Sequence, residues 1–218
     1  MTFSLIGRCA RTGQFGAVAT TSGLCIGSRV PFLAAGVGGV LTQHRTDPRL
    51  GPRGLDLLRS GCTAQETVAA LTASTPHHGW RQYAAIDAAG RTAHFHGARV
   101  KPAHNAAHGT DCVAIGNILA SDQVPQAMVD AFLAEPEAHL GDRLLAALEA
   151  GEAAGGEGRP LVSTVLLIVH RESFPYADLR IDSDPAPIAA LRRLWAAYKP
   201  NLDEYVLRAV DPDTARGG

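Results

Sequence analysis

Strand-length apolar runs in this chain come in closely spaced pairs, and that pairing limits the fold more than any other feature. Residues 2 to 8 (TFSLIGR) and 14 to 21 (QFGAVATT) flank CARTG, where Gly13 suits a positive-φ turn position, so the chain is expected to open with a hairpin. RQYAAID and RTAHFHG flank AAG in the same way, with DCVAIG as a further strand. A parallel βαβ sheet needs single strands separated by crossover connections, and hairpins standing in their place point to antiparallel pairing.

Between the hairpins lie helical patterns. In TDPRLGPRGLDLLRSG the pairs Asp47-Pro48 and Gly51-Pro52 read as turn signals, after which Leu55 and Leu58 take helical spacing until Gly61. A second helix is predicted after Thr63, because Glu66 three residues on completes a reciprocal cap and Val68 and Leu71 continue one apolar face. The glycine-rich SGLCIGSRVPFLAAGVGGVLTQ disfavours a continuous helix and reads as one or two short buried strands. Residues 122 to 134 and 138 to 150 have helical periodicity, LVSTVLLIVH and YADLRID have strand length, and helices are predicted on either side of Lys199-Pro200. Two antiparallel sheets stacked between helices, four layers of α and β, accommodate this order. One domain is expected over residues 1–210, with a frayed tail over 211–218.

A formal net charge of -1, from 20 Lys+Arg against 21 Asp+Glu, gives no global attraction for nucleic acid or an anionic membrane. No run approaches the ~20 apolar residues of a spanning helix, and the basic residues Arg8 and Arg11 follow the first apolar run instead of preceding it, so neither a membrane span nor a signal peptide is expected. Cys9, Cys25, Cys62 and Cys112 are widely spaced and read as reduced thiols of a cytoplasmic protein. His94, His96, His104 and His108 fall close together, the first two on one face of a predicted strand and the others beside a short loop. They lack an acidic or cysteine partner at compact spacing, so no metal is expected; His96 is the candidate for lining a pocket. The terminal helical residues Leu191, Leu194, Trp195, Tyr198 and Tyr205 form an apolar stripe that must be covered, so a homo-oligomer is expected, the alternative being a monomer that covers the stripe internally.

HExxH, GxSxG, GxxxxGK[ST] and a dinucleotide-type GxGxxG are absent, which removes sequence support for the corresponding chemistries. Position two offers another route. Removal of Met1 leaves Thr2 with a hydroxyl and an α-amine, a nucleophile and a base in one residue, although many chains begin Met-Thr with no such role. Thr2 and Ser4 share a face of an extended strand.

The ordered segments MTFSLIGR, TGQFGAVAT, GSRVPFLAAGVGGVLTQ, DPRLGPRGLDLL, GNILA and LLAALEAGEAAGGEGR resemble the DUF1028 family, from residue 2 to about 195. That group is assigned to the N-terminal-nucleophile (Ntn) hydrolase-like proteins. The resemblance implies a four-layer αββα sandwich of that type and α+β class, with Thr2 brought into a cleft between the sheets. By motif it makes Thr2, Ser4 and Asn117 candidate catalytic residues, and Gln43, Arg45, His96 and Ser163 candidate substrate-binding residues. Gln43 and Asn117 can each donate an amide N–H toward developing negative charge, or serve only to satisfy turns. Arg45 offers a planar donor fork for a substrate carboxylate. Two departures stand out: Asp47 replaces the asparagine of the family's NPxxG segment, and its RGxQSA-like passage reads RPLVST here, keeping Ser163 but losing the amide before it.

The expected function is hydrolysis of a C–N amide bond in a small-molecule substrate, with no cofactor. The alternatives are hydrolytic deamination of an enamine or imine acid and non-catalytic ligand binding on the same scaffold.

Overall fold

The computed structural model describes residues 2–216. Met1, on which the expectation of methionine removal rests, and Gly217 and Gly218, the end of the expected frayed tail, lie outside the described residues.

The chain begins with strands β1 (Thr2–Arg8) and β2 (Phe15–Thr21), paired antiparallel through a turn in which Gly13 takes φ 76°. Strands β3 (Pro31–Ala34) and β4 (Gly38–Gln43) follow, then helices α1 (Leu50–Arg59) and α2 (Ala64–Ala73). Next come β5 (Gln82–Asp87), β6 (Thr92–His96), β7 (His104–Gly109) and β8 (Cys112–Asn117). Helices α3 (Val124–Ala134) and α4 (Leu140–Ala153), strands β9 (Ser163–Val169) and β10 (Ala177–Ile181), and helices α5 (Pro187–Tyr198) and α6 (Leu202–Val210) complete the order. The result is a mixed α+β fold with two antiparallel sheets, one ordered β10-β9-β2-β1-β8-β7 and the other β3-β4-β5-β6.

Side-chain alternation along β1 shows how the packing arises. Phe3 and Leu5 enter a core shared with Met128 and Phe132 of α3, Leu144 and Leu148 of α4, and Leu191 and Trp195 of α5. Ile6 belongs to a different core, where Ala17, Ile115 and Val165 of the six-stranded sheet meet Leu41, Ala84 and Ile86 of the four-stranded sheet. A third core joins Val40, Tyr83 and Ala85 to Leu55 and Leu58 of α1 and to Val68 and Leu71 of α2. At ~25 cal/mol per Å² of apolar surface, these burials supply the driving force that fixes which face of each strand looks where.

Local signals place most elements correctly. The cap of α2 forms as read: the Glu66 N–H donates to Thr63 Oγ1 at 3.1 Å and the Thr63 N–H to Glu66 Oε2 at 2.8 Å. Two expectations change. Helix α1 starts at Leu50, before the Gly51-Pro52 pair read as a turn, because proline in a first turn lacks only an N–H that has no helical partner anyway. His104 and His108 lie on strand β7, not beside a short loop; Ala107 is the one apolar residue of β7 buried, so alternation there is weak. Of the terminal stripe, Leu191 and Trp195 are buried within the chain, whereas Leu194 and Tyr205 are exposed.

Gly38, the first residue of β4, tolerates no side chain because of the neighbouring strand β5. It takes φ 128°, and a Cβ there would run into the Ile86 carbonyl oxygen. None of the described helices is long and apolar enough to cross a membrane.

Candidate functional site

Thr2 begins a central strand of the six-stranded sheet. It stands opposite Asn117 of β8, and its Oγ1 donates to Thr21 Oγ1 of β2 at 3.4 Å. The period of two that sends Phe3 and Leu5 toward the helices turns Thr2 and Ser4 toward the other sheet.

Ser4 there enters a buried polar network. Its Oγ donates to Gln43 Oε1 at 2.7 Å, and Gln43 Nε2 donates to Gln82 Oε1 at 2.6 Å and to the Ile115 carbonyl at 3.4 Å. Asn117 Nδ2 donates to the same Gln82 oxygen at 2.8 Å. Gln82 Nε2 in turn donates to the Gly116 carbonyl at 2.7 Å and reaches His96 Nε2 at 3.0 Å. With the amide as donor, His96 accepts at Nε2 and is neutral. Burial, with smaller contributions from His94 and His104, holds its pKa down at about 3. Ser4, Gln43, Asn117 and His96 are thus gathered around Gln82, which sequence reading missed. Its signal was available: Gln82 and Gln43 are polar ends of strands whose other inward residues, Ala84, Ile86 and Leu41, are apolar.

Beside Thr2 opens a cleft of about 660 Å³, a size suited to a small molecule. Chain direction at its rim is set by two successive left-handed residues after β4, His44 at φ 50° and Arg45 at φ 45°. Such backbone costs ~1 kcal/mol or more per residue, and persists where the surroundings hold it. The His44 ring hydrogen-bonds to the Trp80 carbonyl through Nδ1 at 2.8 Å, and burial pushes its pKa down. The Arg45 guanidinium lies 4.3 Å from the centroid of the Trp80 ring. Arg29 and Arg81 also line the cleft, and no described lining residue is acidic. Arg81 Nε is buried without a hydrogen-bond partner, while its Nη2 is 3.8 Å from Asp47 Oδ2. Asp47, the departure noted above, is held ionised chiefly by its bidentate partner Arg49, at 2.8 Å from each oxygen.

Arg45 therefore lines the cleft together with Arg29, Trp80 and Arg81. His96 is not among the lining residues. Ser163 is fully buried and not itself a lining residue, but it sits behind two that are: it pairs with Thr21, and its Oγ accepts the Ile26 N–H at 3.1 Å while donating to the Gly23 carbonyl at 2.7 Å. His94, His96, His104 and His108 form a chain of ring contacts between β6 and β7, with centroids 4.9 to 5.0 Å apart. Among the described residues, no group of three or more His, Cys, Asp or Glu side chains is placed to hold a metal ion.

Glu157, in the loop after α4, also escaped sequence reading. It is 8% exposed, its backbone bridges Leu119, and its Oε2 accepts the Ser22 N–H at 3.1 Å. Burial pushes its pKa up, and Oε1 is buried without a partner among the described residues.

A family model described as "Family of unknown function (DUF1028)" matches residues 2–191. Among solved structures, the chain is similar to protein SPO2555 from Silicibacter pomeroyi, also of family-model DUF1028, with a TM-score of 0.84 and 32% identity over 91% of this chain and 89% of that one. No curated protein matches.

Proposed function

The chain belongs to the DUF1028 family, and from that premise we propose that it is a hydrolase of a C–N amide bond in a small anionic molecule, with Thr2 as nucleophile. In this reading the two stacked sheets and their covering helices are a four-layer αββα sandwich of the Ntn type. The observation that carries the reading is the position of Thr2, at the start of a central strand and on the wall of a cleft lined by Arg29, Arg45 and Arg81.

The steps follow from these groups. Removal of Met1 leaves Thr2 with an α-amine whose ordinary pKa of ~7.7 to 8.0 suits a base near neutrality. Thr2 Oγ1 attacks the amide carbonyl as the amine takes its proton. The amine then protonates the leaving nitrogen, and the C–N bond breaks to leave an acyl ester on Thr2. Water, deprotonated by the same amine, hydrolyses that ester and restores the hydroxyl. Arg45, fixed over Trp80, and its neighbours Arg29 and Arg81 hold a substrate carboxylate through charge-assisted hydrogen bonds. Asn117 faces Thr2 across the strand pair, and its amide, oriented by Gln82, is the donor assigned to the oxyanion. Ser4 and Gln43 act as positioning residues in the same network.

The test is turnover of a panel of N-acyl amino acids and ω-amides, followed by amine or ammonia release, after intact mass has reported the state of Met1. Loss of turnover in Thr2→Ala supports the reading. Equal turnover in wild type and Thr2→Ala, or full activity in protein that retains Met1, would refute it.

A further inference from the structure

We propose that Glu157 is the counter-ion of the Thr2 α-ammonium, a positioning residue that holds the nucleophile's own base in place. This inference rests on the reading of Thr2 as an N-terminal nucleophile.

The strand order puts β1 between β2 and β8, so the start of β1 is flanked by the ends of both. Glu157 spans that gap. Its backbone bridges Leu119, two residues beyond Asn117 of β8, and its carboxylate takes the N–H of Ser22, one residue beyond Thr21 of β2. Thr2 lies between those same two neighbours, opposite Asn117 and bonded to the Thr21 hydroxyl. The carboxylate therefore sits across the point at which the backbone enters β1. That is where cleavage of the Met1–Thr2 peptide bond by water, with release of methionine, creates a positive charge.

No described side chain supplies such a charge to Glu157. Among the described residues no Lys, Arg or His forms an ion pair with it, and Oε1 is buried with no donor. A buried carboxylate oxygen left unpaired is costly, and native structures rarely keep one without a reason. Burial correspondingly raises its pKa. An ammonium at the head of β1 supplies both the missing donor and the missing charge.

The other charged or titratable groups at Thr2 are the cleft residues Arg29, His44, Arg45, His77 and Arg81. The three arginines favour loss of the amine's proton, and Glu157 opposes them. Its role is thus to hold the amine at the head of β1 and to offset the arginines' depression of its basicity.

The experiment is the pH dependence of α-amine acetylation by trace acetic anhydride, read by peptide mass spectrometry, in wild type, Glu157→Gln, Glu157→Asp and the exposed control Glu152→Gln. Glu157→Gln should lower the amine pKa by about one unit or more. Glu157→Asp keeps the charge on a shorter arm, so its amine pKa should fall between wild type and the Gln variant. Glu152→Gln should not move it. An unchanged amine pKa in either Glu157 variant that folds overturns the proposal and leaves Thr2 catalysis standing. Met1 found intact in active protein overturns both.

Discussion

Replacing Gln82 by methionine tests whether the network between the sheets is as tightly closed as its distances imply. The side chain is fully buried, and Met matches its length while removing both polar atoms. Three buried groups then lose a partner: the amides of Gln43 and Asn117, at 2.6 and 2.8 Å, and the Gly116 carbonyl, at 2.7 Å. Each orphaned group costs ~1 to 3 kcal/mol. Gln43 keeps its weaker 3.4 Å contact with the Ile115 carbonyl, and the three share one site, so the sum is not additive. A loss of about 3 kcal/mol is expected, an effect large enough to move the midpoint by roughly 1 M in urea unfolding with an unchanged slope. Ser4→Ala, which orphans only Gln43 Oε1, should cost about 1 kcal/mol. A Gln82→Met protein within 1 kcal/mol of wild type would show that these contacts do not hold the sheets together, and the argument from the network would fail.

Acid should weaken the fold early. Burial holds His94, His96 and His108 below the usual histidine pKa, His96 at about 3, so the unfolded chain binds protons first. The stability this contributes is complete above about pH 6.5 and is lost as pH falls from there toward 3, by on the order of 1 kcal/mol at pH 5 after allowance for partial exposure; equal melting temperatures at pH 7 and pH 5 would contradict this. Gly38→Ala should lower stability by roughly 2 kcal/mol or more in thermal unfolding, since a Cβ at φ 128° meets the Ile86 carbonyl. A wild-type melting temperature in that variant would contradict the geometry. Arg45→Gln should weaken binding of glutarate in calorimetry about tenfold, the value of one charge-assisted hydrogen bond, and leave the neutral diamide unaffected. Equal glutarate affinity in both proteins would remove Arg45 from ligand binding.

What sequence reading captured was local. The Thr63–Glu66 cap, the turn at Gly13 and the shared face of Thr2 and Ser4 each depend on residues a few positions apart, and each is found in the structure. The errors have physical causes as well. Strand β7 carries three polar, exposed positions out of six and pairs only at one edge, so it shows no apolar alternation; the proline in α1 reads as a break unless the helix start is already known. Gln82, Arg81 and Glu157 escaped notice for a different reason. Their partners lie on other strands or loops, as with Gln82 and Asn117, 35 residues apart, and Glu157 and Ser22, 135 apart. No spacing rule brings such pairs together before the sheets have been stacked.

The chain's two tryptophans occupy opposite settings, and this makes the cleft optically addressable. Trp195 is 1% exposed in the helix-side core, its indole N–H bound to Asp142 at 2.7 Å, whereas half-buried Trp80 lies beneath Arg45 on the cleft wall. Intrinsic emission therefore has one component insulated from solutes and another that changes with whatever displaces the guanidinium. Occupancy can be followed without a label and before any substrate has been identified.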